Sequence, residues 1–118
     1  MSTRELIERW VSLFNAGDAE GIAGLYAEDA VNHQIPLAPV VGRRAIADFH
    51  RDTFAGGPLT CTPLNLVVDD DWAALEWTDP DGFRGCGFFQ VQDGVIVLQR
   101  GYWDGAQLAR AHPDVHPG

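Results

Sequence analysis

Apolar residues near the start of the chain recur at spacings of three and four. Leu6, Ile7, Trp10, Val11 and Phe14 thereby mark one buried helical face. Ser2 with Glu5 makes a capping box before it. Asn15-Ala16-Gly17 stops this helix, and Asp18 caps a shorter second one carrying Ile22, Leu25 and Tyr26, weakened by Gly21 and Gly24. A strand is expected from about Ala30 to Ile35, ended by Pro36 and Pro39. A third helix follows from Arg43 to Phe54, with Ile46, Phe49 and Phe54 as its inner face, and Gly56-Gly57-Pro58 ends it. From there the pattern is that of strands: Leu59 to Val68, Trp72 to Thr78, Phe83 to Gln92 and Val95 to Trp103. Asp69-Asp70-Asp71, Asp79-Pro80-Asp81-Gly82 and Asp93-Gly94 are the turns between them, the last a type I′ dipeptide. Asp104 caps a short helix to Ala111, and 112–118 reads as a loose tail. Helices followed by an antiparallel run of strands predict an α+β fold in one domain, 1–118.

Composition narrows the partners. The 118 residues are 46% apolar, enough for a core without disulfide or metal staples. A formal charge of −9 repels phosphate backbones and anionic lipid, so neither nucleic acid nor a membrane surface is expected as a partner. All eight basic residues are Arg, which excludes a Schiff-base lysine and suggests a GC-rich bacterial genome. Cys61 and Cys86 have no metal or redox spacing and read as buried free thiols of a reducing cytoplasm. MSTRELIERW lacks an apolar signal core, and no apolar run approaches the ~18 residues of a membrane span.

One stretch carries the chemistry. In VNHQIPLAPVVGR, Val31 to Arg43, apolar residues surround Asn32, His33 and Gln34. Buried side-chain amides are costly without partners. Strand alternation puts Asn32 and Gln34 on one face and Val31, His33 and Ile35 on the other. Asn32 and Gln34 can each donate and accept hydrogen bonds, so they can orient a water or a substrate oxygen, but neither is a base at neutral pH. A lone His in a strand reads as structural. His33, His50, His112 and His116 have no metal-ligand spacing, so no metal is expected; no phosphate-cradling motif occurs, and no cofactor is implied.

The order of elements, together with YAEDAVNHQIPLAPVVGR (Tyr26 to Arg43) and GFFQVQDGVIVLQRGYWD (Gly87 to Asp104), resembles the nuclear-transport-factor-like superfamily. That superfamily holds SnoaL-like polyketide cyclases, ketosteroid isomerases and limonene epoxide hydrolases. The two segments look most like the second helix, first strand, Pro-rich loop and terminal hairpin of the hydrolases. The resemblance implies a cystatin-like α+β roll: three N-terminal helices on a curved, mainly antiparallel sheet around an apolar pocket. It also implies a homodimer through the open face of the sheet, where Phe88, Leu98, Arg100 and Tyr102 would lie. Asn32 and Gln34 match the polar pocket pair of the hydrolases, with both residue types changed. Trp10, Phe14, Ile22, Tyr26, Phe49, Trp72, Phe89, Val97, Gln99 and Trp103 are the expected lining.

The fold supports many chemistries, so the reaction rests on the site. Gly101 stands where the hydrolases carry their water-activating Asp, and the isomerase base and acid would fall near Gln34 and near Cys86 or Gly87. Glu76 is the candidate substitute: folding the hairpin about Asp79-Pro80-Asp81-Gly82 sets it near the position of the hydrolases' Arg, so the resemblance implies that it faces the cavity with Ala74 and Thr78, where desolvation would raise its pKa toward the range useful for proton transfer. A slip of one residue would instead turn it to solvent or to Arg84. The expected function is acid–base chemistry by Glu76, Asn32 and Gln34 on a small apolar oxygenated substrate, as a hydrolase or isomerase. A non-catalytic ligand-binding protein is the alternative, motivated by Gly101, and a protein-interaction module is a third.

Overall fold

The computed structural model describes residues 1–57 and 59–114. Pro58, expected in the stop after the third helix, and 115–118, expected in the tail with His116, lie outside the described residues. The elements run α1 (Thr3–Asn15), α2 (Ala19–Ala23), β1 (Tyr26–Gln34), β2 (Val40–Val41), α3 (Arg43–Ala55), β3 (Thr62–Asp69), β4 (Trp72–Thr78), β5 (Arg84–Gln92), β6 (Val95–Trp103) and α4 (Gly105–Ala111). This is the α+β architecture, with helices packed on one face of a single six-stranded sheet.

Local chemistry sets the boundaries. The capping box of α1 forms in both directions: Glu5 N donates to Ser2 Oγ at 3.1 Å and Ser2 N to Glu5 Oε1 at 3.0 Å. Asp18 caps α2 through Gly21 N, and Asp104 caps α4 through Ala106 N, both at 2.8 Å. Asp93 and Gly94 hold φ of 52° and 79°, the left-handed pair that a two-residue type I′ turn requires.

Two boundaries differ from the sequence expectation. The second helix ends at Ala23, and Tyr26 opens β1 instead, fully buried against Ile96 of β6. The short helix stops at its C-cap Gly24, and pairing with Ile96 of β6 buries the tyrosine in the sheet instead. The two-residue β2 was missed; it pairs Val40 and Val41 with Asn32 and Val31.

The sheet order is β2-β1-β6-β5-β4-β3, antiparallel except where β1 runs parallel to β6. That one parallel contact brings the polar strand near the start of the chain beside the last strand, with Asn32 opposite Gln99 and Gln34 opposite Gly101. The core lies between α1, α3 and the sheet, and includes Leu6, Ile7, Ile46, Leu75, Phe89 and Ile96. Among the described residues no helix is long and apolar enough to cross a membrane.

Candidate ligand-binding site

A cavity of about 300 Å³ opens between the helices and the concave face of the sheet. Its wall is mainly apolar: Trp10 and Phe14 from α1, Phe49 from α3, Leu75 and Trp77 from β4, and Phe89 from β5. Its polar part is built from three amides, Asn32, Gln34 and Gln99, on adjacent strands.

Two tryptophans decide how these amides point. An indole N–H can only donate. Trp10 Nε1 donates to Tyr26 Oη at 2.9 Å, so the tyrosine hydroxyl passes its own proton on, to Gln99 Oε1. Burial raises the pKa of Tyr26, which keeps that hydroxyl a neutral donor. On the other side Trp103 Nε1 donates to Gln34 Oε1 at 2.8 Å. Gln34 must then offer its Nε2, which donates to Asn32 Oδ1 at 2.7 Å. Each of the three amide oxygens thereby accepts a hydrogen bond inside the protein. The groups left with no partner are N–H. Asn32 Nδ2 is the one fully enclosed side-chain polar atom without a partner among the described residues. Gln99 Nε2 has no partner among them either and, not being enclosed, opens to the cavity. An unpaired buried donor costs about 1–3 kcal/mol, an expense usually explained by a ligand or water acceptor.

His50 stands on the same wall, buried at 2% exposure among the rings of Trp10, Phe14, Tyr26, Phe49 and Phe54. Burial pushes its pKa down to about 4, so it is neutral at pH 7. In the sequence it is one of four histidines without metal-ligand spacing. Its signal is its position: it lies four residues after Ile46, on the buried stripe of α3.

The structure puts Asn32, Gln34, Trp10, Phe14, Phe49, Phe89, Gln99 and Trp103 on the cavity wall. Others are corrected. Glu76 faces the opposite side of the sheet, where its Oε1 accepts from Asn65 Nδ2 at 2.7 Å. The inward set of β4 is Ala73, Leu75 and Trp77, and period-2 alternation sends Trp72, Ala74, Glu76 and Thr78 the other way. Trp72 is therefore 38% exposed, with the Arg100 guanidinium over its ring at 5.9 Å. Val97 leaves the wall because the β5–β6 register shifts there: Gln90 pairs with Leu98 but Val91 with Ile96, and Ile96 takes the buried place. Tyr26 and Ile22 are buried outside the wall itself, Tyr26 acting through its hydroxyl. His33 lies off the wall, its Nε2 3.1 Å from Leu37 O. At Gly101, an added Cβ would fall 1.9 Å from Gln34 Oε1, so the glutamine amide occupies the space of an acid on that strand.

Among the described residues, two carboxylates reach the wall. Asp52 is exposed at the rim. Asp79 is buried, its Oδ1 accepting from Asp81 N at 2.9 Å and Phe83 N at 3.0 Å, and its Oδ2 bound to His112 Nε2. His112 is thus not part of a loose tail but a clamp at the end of α4. Asp79, Asp81 and His112 are the one group among the described residues whose ligand atoms lie close enough, within 4.8 Å, for a shared cation. The buried Asp79 is already satisfied by two amides and the imidazole, which suits a structural clamp. Cys61 is a free, buried thiol, pushed up to about 12 by burial and hence unreactive; Cys86 is free and half-buried.

Residues 7–99 match the family model of the SnoaL-like domain. Among solved structures, an LEH-like epoxide hydrolase of M. tuberculosis superposes with a TM-score of 0.79 at 20% identity, over 92% of this chain and 87% of the other. A candidate polyketide cyclase of Xanthomonas campestris pv. campestris gives 0.79 at 22% identity, over 96% of each chain. An NTF2-like protein of unknown function from Cytophaga hutchinsonii gives 0.79 at 13% identity, over 92% and 95%. At these identities the likeness is one of fold.

Proposed function

Since the chain belongs to the SnoaL-like domain family, within the nuclear-transport-factor-like superfamily, we propose that its cavity holds a small apolar molecule by an acceptor oxygen set against Gln99 Nε2. The observation that carries this reading is the one-sidedness of the amides: every oxygen already accepts a hydrogen bond within the protein, and the groups without any partner are donors. Ketone, ether, epoxide and ester oxygens are acceptors of the required kind. The remaining wall is aromatic and aliphatic, which suits an apolar body.

Binding without chemistry is the reading preferred over a hydrolase or isomerase. The Glu76 carboxylate lies on the far face of the sheet. Asp79 is engaged at both oxygens, and Asp52 sits at the open rim. Among the described residues, no carboxylate on the wall therefore combines burial with a free oxygen.

A shape-matched pair of probes tests the reading: acetophenone, which carries a carbonyl oxygen, and isopropylbenzene, which does not. By calorimetry the ketone is expected to bind about tenfold more tightly, as one hydrogen bond of ~1.4 kcal/mol implies. Gln99→Met should remove that preference while keeping an apolar wall. Equal affinity of the two probes for the unaltered protein would sink the reading.

A further inference from the structure

Resting on that donor floor, we infer that His50 Nε2 is a second pole of the cavity, an acceptor for a ligand hydroxyl, so that the site takes molecules carrying a hydroxyl as well as an acceptor oxygen. The argument begins at the other ring nitrogen. His50 Nδ1 lies 3.0 Å from Ile46 O. A carbonyl oxygen only accepts, so Nδ1 carries the proton and the neutral ring must leave Nε2 with a bare lone pair. Nε2 has no hydrogen-bond partner among the described residues. It is not sealed away either, because Asn32 Nδ2 alone among them is both enclosed and unpartnered. His50 belongs to the cavity wall, so that lone pair meets the cavity.

Among the described residues of the wall, the other buried side-chain acceptors already have a partner. The oxygens of Asn32, Gln34 and Gln99 each accept one hydrogen bond, and Asp79 Oδ1 accepts from two backbone N–H groups while its Oδ2 binds His112. Asp52 and Thr60 are exposed at the rim, and Thr53, half-buried, gives its hydroxyl proton to Phe49 O. His50 also cannot turn into a cation to serve as donor. Its surroundings are rings, which supply apolar area and no counter-ion, so the imidazole stays neutral and accepting. A hydroxyl that donates to Nε2 would therefore replace, inside an apolar pocket, the hydrogen bond it gave to water. A methyl group of the same shape would leave the lone pair unmet. Discrimination by loss of a buried hydrogen bond is stronger than discrimination by shape.

Phenol and toluene differ in little but the hydroxyl, and they test this in the unaltered 15N-labelled protein by NMR. Before any probe, the His50 ring is expected as the Nδ1–H tautomer at pH 7. On titration, phenol should move the Nε2 resonance and bind about five- to tenfold more tightly than toluene, and His50→Phe should erase the difference. An Nε2–H tautomer, or equal binding with Nε2 unmoved, would overturn the inference even if His50→Phe does not fold. Acetophenone is titrated in parallel and read at the side-chain amide of Gln99. If it moves that amide while phenol and toluene behave alike, His50 is refuted and the donor floor stands. If no probe enters the cavity, both are refuted.

Discussion

At the scale of single residues, the site depends on which groups have spent their protons. Trp10 and Trp103 do little chemistry themselves, yet as obligate donors they orient three amides and leave donors facing the cavity. His50 supplies the pH prediction. Its folded pKa, near 4, lies below the ordinary 6.5. Between those values the unfolded chain binds more protons than the folded one, so stability falls as pH drops from about 6.5 toward 4 and is fully present above it. The loss attributable to His50 should be on the order of 3 kcal/mol, and His50→Phe, if it folds, should flatten that part of the profile in urea unfolding at stepped pH. Glu76 predicts the reverse of its sequence-based assignment. Glu76→Gln should leave ketone binding unchanged in calorimetry and alter stability by less than about 1 kcal/mol, as for a half-buried side chain with an amide partner.

At the scale of elements, α4 is the part that sequence alone left weakest. It has seven residues, too few to be stable in isolation. Leu108 inserts into the cavity wall, and His112 closes its end on Asp79, in the turn between β4 and β5. Removing that tie by His112→Ala should cost about 1–2 kcal/mol. Amide exchange should show α4 losing protection while α1 and β4 keep theirs. Protection retained throughout α4 would mean that Leu108 alone docks the helix.

At the scale of the molecule, the sheet has two unlike faces. One encloses the cavity. The other carries Val67, Trp72, Phe88 and Tyr102 at 38–63% exposure, with Phe88 and Tyr102 in edge-to-face contact at 6.1 Å. We propose that a second copy of the chain covers this face. Sedimentation is expected to give a dimer, and Phe88→Glu a monomer that still binds the ketone. A wild-type monomer at tens of micromolar would refute this.

The hydrophobic pattern and the turn residues were enough to determine the order of the longer elements, the capping box, the I′ hairpin and the shared face of Asn32 and Gln34, because each depends on neighbours within a few positions. The parity of β4 was not legible. Burial of Trp72 and Glu76 and burial of Ala73, Leu75 and Trp77 both fit the text, and only the sheet's pairing chooses between them. The Val97 bulge and the Asp79–His112 clamp were hidden for the same reason, since their partners lie far apart in the chain. So was the direction of the amides. Residue types say that Asn32, Gln34 and Gln99 both give and accept protons; the folded chain alone brings the indoles and the tyrosine that consume their oxygens.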